Sequence, residues 1–209
     1  EQLRRLTTVV PQSSTKFSEV RDSGYSSAIR RLSGIPIVII SGNHSWPKQQ
    51  VKGSVFSVLS QFPGIHAVHN ETYQLLRFDG ISVHAIPHCA SQEKLEAELS
   101  KVTRDPNADY NVAILHASIP YIATNFYVEP SQISVNPDNL LELEMDYIAL
   151  GHSHCAKVVQ ENACYCGSTE RFSFIESDEQ KKFLEVDLAK PSPPFIPPSP
   201  PASPRIRGE

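Results

Sequence analysis

The chain has 209 residues, 40% of them hydrophobic, with a formal net charge of -4 at pH 7 and a pI near 6.1. Such a length allows one domain with a substantial core, and the acidic balance argues against a uniformly basic, nucleic-acid-coating surface while leaving room for a local basic groove. No apolar stretch approaches the ~20 residues of a membrane span, and four cysteines are too few for a disulfide framework, so a reducing, cytoplasmic setting is expected.

In chain order, residues 1–16 show neither a targeting pattern nor a clear element. The spacing of Phe17, Val20, Tyr25, Ala28, Ile29 and Leu32 predicts an amphipathic helix over 17–32, stopped by Gly34. The β-branched run 35–40 reads as a strand covered on both faces, with Pro36 near its start, where a missing ladder donor is tolerated. A short helix is expected within 51–62. Alternation over 73–78 and 81–86 around Asp79-Gly80 predicts a hairpin with a two-residue turn.

Residues 92–102 read as a surface helix that turns Leu95, Leu99 and Val102 inward, with Glu93, Lys94, Glu96, Glu98 and Lys101 on its solvated face. A buried strand is expected over 112–115, a long irregular loop over 117–136, a helix over 137–143 and a third buried strand over 147–150. Short strands without intervening helices follow over 157–160, 163–166 and 182–188. From Pro191 the chain is Pro/Ser-rich and cannot build a core, so a disordered tail is expected over 191–209, after a domain over 17–190.

Chemistry-bearing residues stand just after the apolar runs. Gly42-Asn43-His44 follows the first, His116 ends Asn111-Val112-Ala113-Ile114-Leu115-His116, and Gly151-His152-Ser153-His154 follows the third. In an open α/β sheet, ligand-binding groups gather beyond the carboxyl ends of the strands. One amide and four imidazoles brought together there would form a metal-binding donor set of the hydrolytic type. A single His at a strand end is most often a hydrogen-bonded structural residue; metal-type ligands at several strand ends point to a site. His66, His69, His84 and His88 read as surface or satisfied core residues, with His88 a candidate for a substrate loop. Arg171, after Gly167-Ser168, could approach a phosphate or pair with Glu170, and Trp46 reads as a packing plug before Pro47.

The ordered set Gly-Asn-His, a later single His and Gly-His-Ser-His resembles the calcineurin-like metallophosphoesterases. The stretches IPIVIISGNHSWP (35–47) and YCGSTERFSF (165–174) resemble the SbcD-type DNA-repair exonuclease branch. The resemblance spans roughly Phe17 to Leu188. It implies an α/β fold, a metallophosphoesterase-type β-sandwich flanked by helices, of which this chain would hold about the C-terminal two-thirds without the N-terminal strands. It also implies hydrolysis of phosphodiesters, DNA above all, by two divalent ions (Mn foremost; Fe, Zn or Mg otherwise), and an SbcC-like ATPase partner. Carried over by position, Asn43, His116 and His152 resemble ligands of the second ion, His154 resembles a ligand of the first, and His44 resembles the histidine that protonates the leaving oxygen.

The chain departs from that pattern. Neither Asp-X-His nor Gly-Asp-X-X-Asp occurs in it, so the carboxylates that hold the first ion and bridge the pair are absent, and little activity is expected. Ser45 stands where the family has an acid after Gly-Asn-His, and a serine cannot favour an imidazolium electrostatically. Because the sequence opens on Glu1, a fragment of a longer protein is the expectation. The alternatives are a non-catalytic relative acting as a binding module, or a structural zinc site built from His152, His154, Cys155, Cys164 and Cys166.

Overall fold

Two of the predicted apolar runs, 112–115 and 147–150, lie side by side at the centre of a mixed sheet. The structure, a computed structural model, describes residues 6–7, 34–45, 54–120 and 133–189. The predicted helix over 17–32, the tail from Pro191, Trp46 and most of the long loop after His116 lie outside these residues.

The strands are β1 (Leu6–Thr7), β2 (Ile37–Ile40), β3 (Ile65–Val68), β4 (Gln74–Phe78), β5 (Ile81–Ile86), β6 (Tyr110–His116), β7 (Tyr147–Gly151), β8 (Lys157–Gln160), β9 (Ala163–Tyr165) and β10 (Glu185–Val186). The helices are α1 (Val55–Leu59), α2 (Gln92–Leu99) and α3 (Pro137–Leu141). The main sheet has six strands in the order β4-β5-β6-β7-β9-β8. β5, β6, β7 and β9 run parallel, and the antiparallel strands β4 and β8 close the two edges.

This is the α/β architecture the sequence led us to expect, consistent with a metallophosphoesterase-like fold. One face of the sheet packs Ala113, Leu115, Ile148 and Leu150 against Leu95 of α2 and Leu140 of α3. The opposite face packs Val83, Ala85, Val112 and Tyr147 against Val38 and Val68. The central strands are thus covered on both sides, which is why they read as unbroken apolar runs rather than as alternation.

β2 corrects one expectation. It does not extend the main sheet; it pairs in parallel with β3 in a separate two-stranded sheet that forms the second layer. β3 itself, with its sequence Ile65-His66-Ala67-Val68, is too short and too polar at its second position to announce a strand. The layers are stitched where His88 N–H donates to the Ser41 carbonyl at 2.8 Å, just beyond the ends of β5 and β2.

The hairpin is as read, with Gly80 at φ 70° supplying the left-handed turn position. α2 is capped by Ser91, whose hydroxyl oxygen accepts the Lys94 N–H at 3.2 Å. Here a second expectation fails, because Glu98 is fully buried rather than solvated. Its carboxylate accepts the Tyr73 N–H at 2.9 Å and the ammonium groups of Lys94 and Lys101 at 2.6 and 2.7 Å. Helical periodicity does not reveal a carboxylate that faces inward with its own partners.

His84 is buried as a satisfied core residue, between the Tyr73 hydroxyl at 2.9 Å and the Asn111 amide oxygen at 3.0 Å. Burial lowers its pKa and keeps the ring neutral. His66 packs edge-on against Phe78, and His69 lies 6.0 Å from the Phe56 ring.

Candidate metal-binding histidine site

The carboxyl ends of β2, β6 and β7 converge. In the parallel β6–β7 register, His116 lies directly opposite Gly151, so His152 begins the loop beside it. After β2, Ser41 and Gly42 lead into a 3-10 turn over Asn43–Ser45. The Asn43 side-chain oxygen stands 3.1 Å from His116 Nε2, and the Asn43 backbone N–H stands 3.4 Å from the same nitrogen.

The glycines make this approach possible. A Cβ at Gly42 would lie 2.7 Å from His116 Cε1, and one at Gly151 would lie 3.1 Å from His116 Nδ1. The imidazole is clasped between two bare backbones: a Cβ at Gly42 would have to displace the ring, and one at Gly151 would press it by a few tenths of an ångström. His152 crosses His116 edge-on at 5.3 Å between ring centroids, from a backbone at φ 106° that is strained for any residue but glycine.

His88 joins the cluster from the loop after β5, its ring 6.0 Å from that of His116. The sequence suggested it only as a loop contact; its position depends on the β5–β6 pairing, which no local pattern encodes. His44 is exposed on the 3-10 turn, close enough to couple electrostatically with His88, His116 and His152.

These neighbours set the charge state of the site. Burial, reinforced by the imidazoles of His152, His88, His44 and His154, pulls the His116 pKa down to about 3. Burial, with the imidazoles of His88, His154 and His44, lowers that of His152. Both rings are neutral at physiological pH, the state in which imidazole ligates a metal.

His154 is placed differently. Its ring turns to Glu176, with Nδ1 3.0 Å from Oε1, and lies 5.4 Å from the Phe172 ring. It still couples electrostatically to His116 and His152. Glu176 also receives the Lys181 ammonium at 2.7 Å, and hydrogen bonds from His154 and then Lys181 hold its carboxyl pKa down at about 2. Neither Glu176 nor Lys181 is marked by any sequence motif, because both reach the site from a loop more than twenty positions downstream.

Donor chemistry decides what could bind. An amide oxygen and two neutral imidazoles suit one divalent ion, and Oδ1 and Nε2 at 3.1 Å are spaced as two ligands of a single ion at about 2.1 Å also are. Among the described residues no group of three or more His, Cys, Asp or Glu is arranged to hold a metal, so the set depends on the Asn43 amide and has no carboxylate.

The structural-zinc alternative is not met. Cys164 is buried with its sulfur 3.2 Å from the Tyr147 hydroxyl, the Cys155 thiol donates to Glu179 at 2.6 Å, and Cys166 turns to the Gly167 carbonyl. The Arg171 guanidinium donates to the Glu179 carbonyl at 3.2 and 2.9 Å rather than to Glu170. The Ser168 N–H is likewise used internally, donating to the His154 carbonyl at 3.0 Å.

Comparison with known proteins adds a second line. The chain is similar to the DNA double-strand break repair protein Mre11 of Methanococcus maripaludis, 30% identical over 165 residues that cover 71% of this chain and 40% of that protein. It is also similar to the protein of the same name from Methanopyrus kandleri, 29% identical over 174 residues covering 74% of this chain and 37% of that protein. The chain therefore spans about two fifths of the length of the curated relatives it matches. No protein-family model matches it. Among the described residues no helix is long and apolar enough to cross a membrane.

Proposed function

We propose that this chain carries part of a metal-dependent nuclease site of the Mre11/SbcD type, acting on phosphodiesters of DNA. Asn43, His116 and His152 are the ligands of one divalent ion, Mn foremost, and His154 belongs to the neighbouring one. The observation that carries the reading is the convergence of the Asn43 amide oxygen, His116 and His152 from separate strand ends, supported by the similarity to two Mre11 proteins.

Paired divalent ions, when bound, supply Lewis acidity and a nucleophile for in-line displacement at phosphorus. The chain's own residues do the rest. Gly42 and Gly151 fix the His116 ring, burial keeps it neutral, and Asn43 adds an oxygen donor. His44, exposed beside the cluster, is the proton donor to the departing oxygen. Ser45 beside it brings no carboxylate, so this donor works without charge support. Neutral ligands hold a divalent ion more weakly than a set that includes carboxylates, and the chain alone is accordingly a weak binder with slow turnover. An SbcC-like ATPase is the partner this reading carries with it. The non-catalytic alternative, a binding module on the same sheet edge, draws on the absent carboxylates.

Titration of Mn into the chain, followed by electron paramagnetic resonance, tests the site, alongside hydrolysis of bis-nitrophenyl phosphate. His116→Ala and His152→Ala should each weaken Mn binding about tenfold or more, with hydrolysis near background throughout. Mn affinity indifferent to both substitutions sinks the site. Robust turnover lost in both variants sinks the low-activity reading and keeps the nuclease.

A further inference from the structure

The segment from Gly167 to Lys181 builds a cradle around His154. The His154 carbonyl accepts the Ser168 N–H at 3.0 Å and the Lys181 ammonium at 3.2 Å. Its ring Nδ1 stands 3.0 Å from Glu176 Oε1, while Glu176 Oε2 accepts Lys181 at 2.7 Å and the Phe172 N–H at 3.3 Å. Glu176 is only 8% exposed while the His154 side chain is 39% exposed, so the carboxylate is the sheltered end of the pair. Space is tight as well, since a Cβ at Gly167 would lie 2.8 Å from the His154 carbonyl oxygen.

A carboxylate paired with an ammonium is an acceptor only, so the ring nitrogen facing it must carry the hydrogen. In a neutral imidazole that leaves the lone pair on the other nitrogen. We infer that Glu176 is a positioning residue: it holds His154 as the Nδ1–H tautomer, sets the plane of the ring and leaves Nε2 as an electron-pair donor. The inference rests on the reading above for its use, because a carboxylate behind a ligating histidine raises its basicity and fixes its orientation. Lys181 has a different part. It neutralises the buried carboxylate and anchors the loop through the His154 and Glu179 oxygens, the latter at 2.7 Å, without touching the ring.

Two measurements on the full chain test this: the imidazole tautomers at neutral pH, from long-range nitrogen–proton correlation spectra, and Mn affinity. Wild type should show His154 as Nδ1–H. Glu176→Gln, whose amide can turn either face to the ring, should lose that preference and weaken Mn binding by about 10–100-fold. Glu176→Asp should restore the Nδ1–H signature, and Lys181→Met should retain it. The inference is overturned if wild-type His154 is Nε2–H, if Glu176→Gln leaves the tautomer unchanged, or if Lys181→Met disturbs it as much as Glu176→Gln. A tautomer that follows Glu176 while Mn affinity does not supports the positioning role and removes His154 from the ligands of the bound Mn; the Asn43, His116 and His152 set is judged separately by His116→Ala and His152→Ala.

Discussion

At the scale of single residues, the site is made by what is missing as much as by what is present. His116 lies against Gly42 and Gly151, and the nearest added Cβ would stand 2.7 Å from its ring, closer than carbon atoms approach. The ring cannot swing freely, because Asn43 and His152 hold its other sides. Gly42→Ala should therefore displace the imidazole and lower Mn affinity by about tenfold or more, comparable to the loss of a supporting contact in a metal site. Calorimetric titration of Mn against wild type and the variant checks this, and unchanged affinity would mean that ring placement does not govern binding. The motif Gly-Asn-His was legible in the sequence, yet its glycine's partner was not: His116 is more than seventy positions away.

At the scale of elements, α2 shows where periodicity misleads. The inward residues were read correctly, since Leu95 is buried and Leu99 and Val102 pack against the core. The helix expected over 92–102, however, ends at Leu99 and leaves Val102 beyond it. Glu98 defeats the pattern because it is desolvated with three donors of its own. Burial raises its pKa, but Lys101, Lys94 and the Tyr73 N–H outweigh that and bring it down to about 2. A carboxyl whose folded pKa is depressed stabilises the fold above its unfolded value of roughly 4.3. That contribution disappears as pH falls from about 5 toward 2, so urea midpoints should drop across this window and less so in Glu98→Gln. Removing one partner of a buried ion pair costs about 3–5 kcal/mol. Both lysines here are 40% exposed or more and rehydrate when released, so Glu98→Gln should cost less, about 1–3 kcal/mol near neutrality. A urea midpoint unchanged by the substitution at pH 7 would contradict the buried pairing.

At the scale of the whole molecule, the strength of the fold is unevenly distributed. β5, β6 and β7 are paired on both edges and covered on both faces. The pair β1–β10 consists of two residues from each strand, and the β2–β3 layer meets the main sheet through Val38, Val68 and the His88–Ser41 bond. Protection from hydrogen exchange follows pairing and burial. Amides of β5 to β7 should therefore exchange slowest, those of β2–β3 faster, and those of β1–β10 fastest. Mass-resolved exchange on peptides covering these strands would disprove the hierarchy if β2 proved as protected as β6. The proposed site would straddle this division, since Asn43 follows β2 of the less anchored layer while His116 and His152 stand at the ends of β6 and β7.

The sequence by itself determined the covered strands, the Asp79-Gly80 hairpin, the helix after Ser91 and the positions of the donors at strand ends. Each follows from local chemistry: β-branched runs, turn residues, caps and glycines next to histidines. Tertiary structure alone decided that β2 belongs to a second layer, that β3 exists to pair with it, that Glu98 faces inward, and that His88 and Glu176 stand beside the predicted histidines. Those outcomes depend on strand pairing and desolvation between segments far apart in the chain, and such interactions leave no periodic trace in the residues that make them.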